Sequence, residues 1–307
     1  MSKPPDAPHS SPPSLATARF LALTAAILWS TSGLFAKNPA FQGWPGPLLA
    51  FWRAAFACVV LFPLVRRPQW TWRLLPAVAT FALMNYTYLT AMAKGSAANA
   101  IWLQYTAPAW ALIVGVVVFR ERAIGRDWLL LACVLAGIAV IVGCESVWGK
   151  DQASLEAVAY GLAAGVFYAG VVLSLRQLRD LESAWIVALN HAVTAIVLSP
   201  FLFEWSGGTP VVNQYWPSGT QWLLLAGFGI VQMGLPYVLF ARSLKSIPAH
   251  EASGIGLIEP ILVPLWVWLA LSSAPAWWTL VGGGLIFAGL LLRYIGPKEA
   301  EVSPPAA

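Results

Sequence analysis

The stretch "AANAIWLQYTAPAWAL", Ala97 to Leu112, lies over "AHEASGIGLIEPILVP", Ala249 to Pro264, at a shift of 152 positions, so that Pro108 meets Pro260. At the same shift "LAGIAV" (Leu135 to Val140) meets "FAGLLL" (Phe287 to Leu292) without a gap. Earlier in the chain "LTAAILWS" (Leu23 to Ser30) matches "LAAGVFYA" (Leu162 to Ala169) at a shift of 139, which pairs Trp29 with Tyr168. One position less sets "FWRA" (Phe51 to Ala54) against "LNHA" (Leu189 to Ala192) and Arg53 against His191. The polar connector "EWSGGTPVVNQYWPSGTQ", Glu204 to Gln221, absorbs the change of shift. The chain therefore reads as one unit used twice.

Composition says where that unit sits. Hydrophobic residues make up 59% of the 307 and charged residues only 10%, far below the roughly 25% of soluble domains. Apolar runs near the twenty residues that cross a bilayer number ten: approximately 17–35, 47–65, 74–93, 97–119, 128–144, 157–175, 184–203, 222–241, 252–271 and 274–292. Residues 1–16 and 294–307 read as polar, disordered tails, 17–144 and 157–293 as two five-helix repeats, and 145–156 as their connector. The first apolar run follows a long polar leader, which fits a retained helix rather than a cleaved signal peptide. With the amino terminus in the cytoplasm, fourteen of the eighteen Lys and Arg residues fall inside or at an inner edge. Only Lys37, Lys94 and Lys150 fall outside, and Arg53 lies within a span. That asymmetry follows the positive-inside rule, places both termini in the cytoplasm, and accounts for the net charge of +5 without a nucleic-acid partner.

Five crossings per repeat is an odd number, so the halves enter the membrane with opposite orientation. Inverted repeats of this kind belong to secondary transporters, where one half rocks against the other around a central site. The expected fold is all-α and integral to the membrane, with ten transmembrane helices in two inverted five-helix repeats.

The run "YTAPAWALIVGVVVFRERAIGRDWLLLACVLAGIAV" resembles the drug/metabolite transporter superfamily through Pro108, Glu121 and Gly137. The EamA-type members have ten spans in two inverted halves, a likeness that covers almost the whole chain. The density of Trp and Tyr and the "FWRA" segment make it similar to the YddG-type amino-acid exporters. The resemblance implies amino-acid export across a bacterial inner membrane, with neutral and aromatic amino acids leading. One departure is Ser273, where the family usually repeats a glutamate at the end of the second half's fourth helix.

Ionisable groups within a membrane cost about 2.5–3.5 kcal/mol at its centre and mark function. Every Asp lies in a loop or tail, and among the glutamates only Glu259 lies near a span centre. Glu259 either meets a substrate ammonium or carries a proton, or else it forms a structural ion pair or interhelical hydrogen bond. Pro260 frees the carbonyl of Gly256 from the helix ladder, and Gly254 and Gly256 leave the backbone uncovered, so a helix break at midplane is expected there. Arg53 either snorkels to the outer surface or receives a carboxylate. His191 is either a packing residue or a ligand or proton relay. Trp29, Tyr88, Trp102, Tyr105, Phe167, Tyr168 and Tyr237 fall inside spans, where they line an aromatic cavity or pack the bundle. Trp70, Trp72, Trp128, Trp205, Trp216, Trp222, Trp277 and Trp278 fall at span ends, as an interfacial belt requires.

The three cysteines match no metal or redox spacing, and no metal or other cofactor is expected. "GLAAGVFYAG" (Gly161 to Gly170) and "GGGLIFAG" (Gly282 to Gly289) permit close helix approach within one chain or across a dimer, with a monomer as the default. The expected partners are the lipid bilayer and a small zwitterion, whose carboxylate, ammonium and side chain would meet Arg53, Glu259 and the aromatics. Export of drugs, purines or other metabolites is the alternative. A non-transporting sensor would not need paired breaks in both halves, and an enzyme would need clustered acids, bases or metal ligands.

Overall fold

The computed structural model describes residues 13–149, 152–206 and 209–294. Helices α1 (Leu15–Ser30) and α2 (Ser32–Ala36) run nearly end to end, then a short loop leads into α3 (Gly46–Leu61) and α4 (Leu74–Lys94). Next come α5 (Ala97–Gln104), α6 (Ala107–Val117), α7 (Gly125–Trp148), α8 (Gln152–Gln177) and α9 (Ser183–Leu198). A small antiparallel hairpin of β1 (Phe203–Ser206) and β2 (Thr209–Val212) pairs Phe203 with Val212 and Ser206 with Thr209. It occupies part of the stretch read from sequence as a polar connector. Then α10 (Thr220–Ala226) runs through a π-helical turn, Gly227–Gly234, into α11 (Leu235–Ser243), followed by α12 (Ala249–Gly256), α13 (Glu259–Leu271) and α14 (Trp277–Tyr294).

Among the described residues, eight helical stretches are long and apolar enough to cross a membrane, from Leu15–Ala36 to Gly254–Leu271. Trp277–Arg293 is apolar but shorter. Helix α4 has the length, but the polar run "NYTYLT" from Asn85 to Thr90 lowers its hydropathy.

The run read as one helix from Ala97 to Phe119 is two helices. The chain turns at Tyr105–Thr106 between α5 and α6, and again at Leu257–Ile258 between α12 and α13. Both turns are 152 positions apart, as are the starts of α5 and α12 and of α6 and α13. Pro108 and Pro260 each sit in the first turn of the new helix, where proline's fixed φ and missing N–H are tolerated. The break therefore precedes each proline by a turn rather than sitting on it. Ser96 caps α5 by accepting from the Asn99 amide at 2.9 Å, and Ser14 caps α1 by accepting from Thr17.

Close helix approach is made by glycine. A Cβ on Gly137 of α7 would lie 2.5 Å from the carbonyl oxygen of Gly282 on α14, and one on Gly289 would lie 2.8 Å from the Cβ of Cys133. Gly161, Gly170, Gly282, Gly283 and Gly289 all pack against other helices of the same chain. Large apolar side chains such as Val59, Leu75, Leu223 and Leu269 point outward, the surface a lipid solvent requires. Trp70, Trp72, Trp128, Trp216 and Trp277 are exposed at helix ends or in the adjoining loops, whereas Trp222 and Trp278 are partly packed.

Candidate functional site

Arg53 stands on α3 and is only 3% exposed. Its stem does not climb to a surface: the guanidinium lies 5.1 Å from the ring centre of Phe228 and 5.9 Å from that of Tyr88. Cation–π attraction grows when the cation is desolvated, so the two rings hold it in the interior. One guanidinium nitrogen donates to the side-chain oxygen of Asn85. The Asn85 amide nitrogen donates to the carbonyl of Phe81 one turn back at 2.8 Å, which fixes the oxygen toward the arginine. Tyr88 is anchored in turn by a 3.0 Å hydrogen bond between its hydroxyl and that of Ser32. Gly229 of the π-helical turn makes the approach to α3 possible, since a Cβ there would lie 2.7 Å from the Arg53 carbonyl.

Glu259 opens α13 and is half-buried. A carboxylate in a helix's first turn is favoured by the orphan amides and their dipole. The Tyr105 hydroxyl donates its hydrogen between the Glu259 carboxylate, at 2.9 Å, and the Gly256 carbonyl, at 3.2 Å. That carbonyl is available because Pro260, four residues on, has no N–H to offer it. Gly254 and Gly256 leave open space beside it, with nothing within 4 Å of where a Cβ would stand. Arg53 and Glu259 border the same interior: Arg53 lies over Tyr88, whose hydroxyl bonds Ser32 of α2, and α13, which Glu259 opens, packs against α2. Among the described residues, neither of the two forms an ion pair: the five pairs present lie elsewhere.

The other sequence candidates divide. Tyr168 packs against the same apolar cluster as Trp29 and Tyr237. His191 is 1% exposed, with Phe81 at 4.9 Å and Tyr237 at 5.6 Å between ring centres. Its Nδ1 faces the Val187 carbonyl at 2.8 Å, which assigns the proton to Nδ1 and leaves Nε2 with no hydrogen-bond partner among the described residues. Trp29 stacks edge-on against Tyr237 at 5.2 Å, and its carbonyl accepts from Gln232 at 3.0 Å. Trp102 stands apart from this group, wedged against Gly283 and 6.1 Å from Phe287 in the α5–α14 contact.

Asn85, Ser32, Phe228 and Gln232 escape sequence reading. Asn85 and Tyr88 are three apart on one helix face, a usable signal. Nothing local marks Phe228.

The sequence profile of the EamA-like transporter family matches this chain twice, over residues 16–143 and 155–295. An uncharacterized transporter of Archaeoglobus fulgidus (strain ATCC 49558 / DSM 4304 / JCM 9628 / NBRC 100126 / VC-16) is 25% identical over 277 residues, covering 88% of this chain and 93% of its own. The uncharacterized transporter YwfM of Bacillus subtilis (strain 168) is 24% identical over 301 residues, 92% of this chain and 96% of its own. A solved crystal structure superposes with a TM-score of 0.63 at 19% identity over 92% of this chain and 98% of the other, a likeness of fold. With helices fit to cross a membrane and a polar, aromatic interior between them, the chain belongs to the EamA-like transporter family of membrane transporters.

Proposed function

We propose that this transporter exports small amphipathic metabolites, foremost neutral and aromatic amino acids, by alternating access. The observation that carries the reading is that Arg53 and Glu259 border one interior and, among the described residues, do not pair with each other. A bound zwitterion gives each charge its missing partner, the carboxylate on the guanidinium and the ammonium on Glu259. Desolvated charges without partners are costly, so an interior of this kind is suited to a ligand that supplies both. Tyr88, Tyr105, Tyr168, Tyr237 and, beyond them, Trp29 offer flat surfaces to the side chain. His191 contributes an acceptor at Nε2. A purely cationic drug would leave Arg53 uncompensated, which sets the drug-exporter alternative behind.

The architecture in this proposal is ten spans in two inverted halves, both termini cytoplasmic, in a bacterial inner membrane. Its support is the repetition of helix ends and prolines at 152 positions and the reciprocal contacts of α7 and α14. Gly137 meets the backbone of Gly282, and the equivalent Gly289 meets the backbone of Leu130. Two equivalent halves around one site give two equivalent arrangements, the requirement for alternating access.

Purified protein in sealed proteoliposomes tests the substrate class. Exchange or release of labelled phenylalanine, tryptophan, methionine or threonine is the expected result, with lysine and aspartate competing weakly. Movement of cationic dyes or purines in the absence of amino-acid flux would replace this reading with the drug or nucleobase one.

A further inference from the structure

Beyond the interior just described, a cavity of about 270 Å³ lies at the end of the bundle opposite the N-terminus of α1. It is slightly smaller than the roughly 300–1,000 Å³ of sites for drug-sized ligands, a size for a small metabolite. Ala36, Lys37, Asn38, Gln42, Trp44 and Ala93 are among its walls. The loop that builds it is held in place at several points. Asn38 caps the turn Pro39–Phe41 by accepting from the Ala40 amide at 3.0 Å, and Gln221 of α10 donates to the Ala40 carbonyl at 2.7 Å. Phe41 and Trp44 are buried with their rings 5.0 Å apart. Gly43 turns the chain at φ 81°, a conformation that favours glycine.

Lys37 is half-buried in this wall and forms no ion pair among the described residues. Lys94, at the same end, is held by Glu156 at 2.8 Å. A partly desolvated cation without a partner is unfavourable unless an anion visits it, and low-dielectric surroundings strengthen such a contact. Burial lowers the Lys37 ammonium below the usual lysine range. The cavity also lies near the interior along the same two helices. Ala36 is one turn beyond Ser32 and Ala93 five residues beyond Tyr88, about 6–8 Å at helical rise. Ser32 and Tyr88 are hydrogen-bonded to each other, and Tyr88 flanks Arg53.

We propose that this cavity is a carboxylate-binding subsite, in which Lys37 holds the carboxylate of an amphipathic solute one step before or after that group meets Arg53. The solute class rests on the transport reading above; the subsite rests on the cavity and its lysine. An oxyanion at Lys37 has two possible sources, a solute carboxylate or a lipid phosphate, and the cavity's concave, aromatic wall favours the solute.

Acylation of Lys37 by a membrane-impermeant N-hydroxysulfosuccinimide acetate, read by mass spectrometry in sealed proteoliposomes, tests this. Lys94, exposed to the same side, is the internal reference. 3-Phenylpropanoate should slow Lys37 acetylation saturably and at least fivefold, whereas phenethylamine, which lacks the carboxylate, should not. Equal slowing by both, or by neither, overturns the proposal. Slowing that follows the phosphatidylglycerol content of the vesicle and ignores 3-phenylpropanoate assigns the oxyanion to lipid and also overturns it. Lys37→Gln should weaken inhibition of phenylalanine exchange by external 3-phenylpropanoate about tenfold, and unchanged inhibition counts against the subsite. Protection of Lys37 in a protein that moves no amino acid supports the subsite while removing the substrate assignment, so the two claims fail separately.

Discussion

Glu259 is held by a tyrosine hydroxyl and a helix start, and among the described residues it forms no ion pair. That arrangement leaves its charge available. Glu259→Gln keeps the shape and the Tyr105 hydrogen bond but removes the charge, so the roles separate. If the carboxylate receives a substrate ammonium, apparent affinity should fall by about 1.5–3 kcal/mol, the range for a hydrogen bond to a charged group, or roughly tenfold to a hundredfold and more. Melting temperature should hold. Unchanged affinity with loss of dependence on a pH gradient would make Glu259 a proton carrier instead. Unchanged affinity, pH dependence and melting temperature together would remove it from the site. At this scale the sequence was partly legible: a glutamate before a proline in an apolar run implies a freed carbonyl, and Tyr105 occupies it. Arg53 was ambiguous because sequence gives depth along a span but not direction, and direction comes from rings on two other elements, Tyr88 and Phe228. Asn85 was overlooked because a lone amide in a span reads as a tolerated polar residue until its partner is known.

The elements carry the second kind of information. Helix breaks at Tyr105–Thr106 and Leu257–Ile258 follow from local chemistry, since proline is at home in a first turn and forces a new start. The β1–β2 hairpin did not, because its strands sit in a stretch whose polarity reads as plain linker. Small-residue spacing correctly marked packing faces but could not say which partner each would meet. The α7–α14 contact shows why that matters: Gly137 faces a backbone oxygen, while Gly284, also on α14, faces open space. Adding one methyl should therefore have opposite effects. Gly137→Ala forces α7 and α14 apart and should lower the melting temperature of the detergent-purified protein, by about 1–3 kcal/mol of stability as overpacking typically costs. Gly284→Ala should leave it unchanged or raise it slightly, because alanine favours helix over glycine by up to about 1 kcal/mol. Equal melting temperatures for the two variants would mean that the close approach does not hold this helix pair.

At the scale of the whole molecule, charge and contact give independent readings of sidedness. Sequence assigns Arg19, Arg73, Arg176 and Arg293 to the inner side by the excess of cations there. In the structure these four pair with Glu251, Asp180, Glu121 and Asp127, all in segments that the same assignment puts inside. The fifth pair, Lys94 with Glu156, joins two segments assigned outside. Among the described residues no pair joins an inner segment to an outer one. A missed or invented crossing anywhere between Arg19 and Arg293 would reverse the assignment of every later partner and produce such a mismatch. Which end faces the cytoplasm follows from cation excess, and it is testable. Reporters that report only in the cytoplasm, fused to either terminus, should be active, and one inserted between Lys37 and Gly46 should be silent. An active reporter in that loop together with silent termini would turn the molecule over in the membrane, placing the Lys37 cavity on the cytoplasmic side. One active and one silent terminus would end the ten-span assignment, and with it the inverted relation of the two halves.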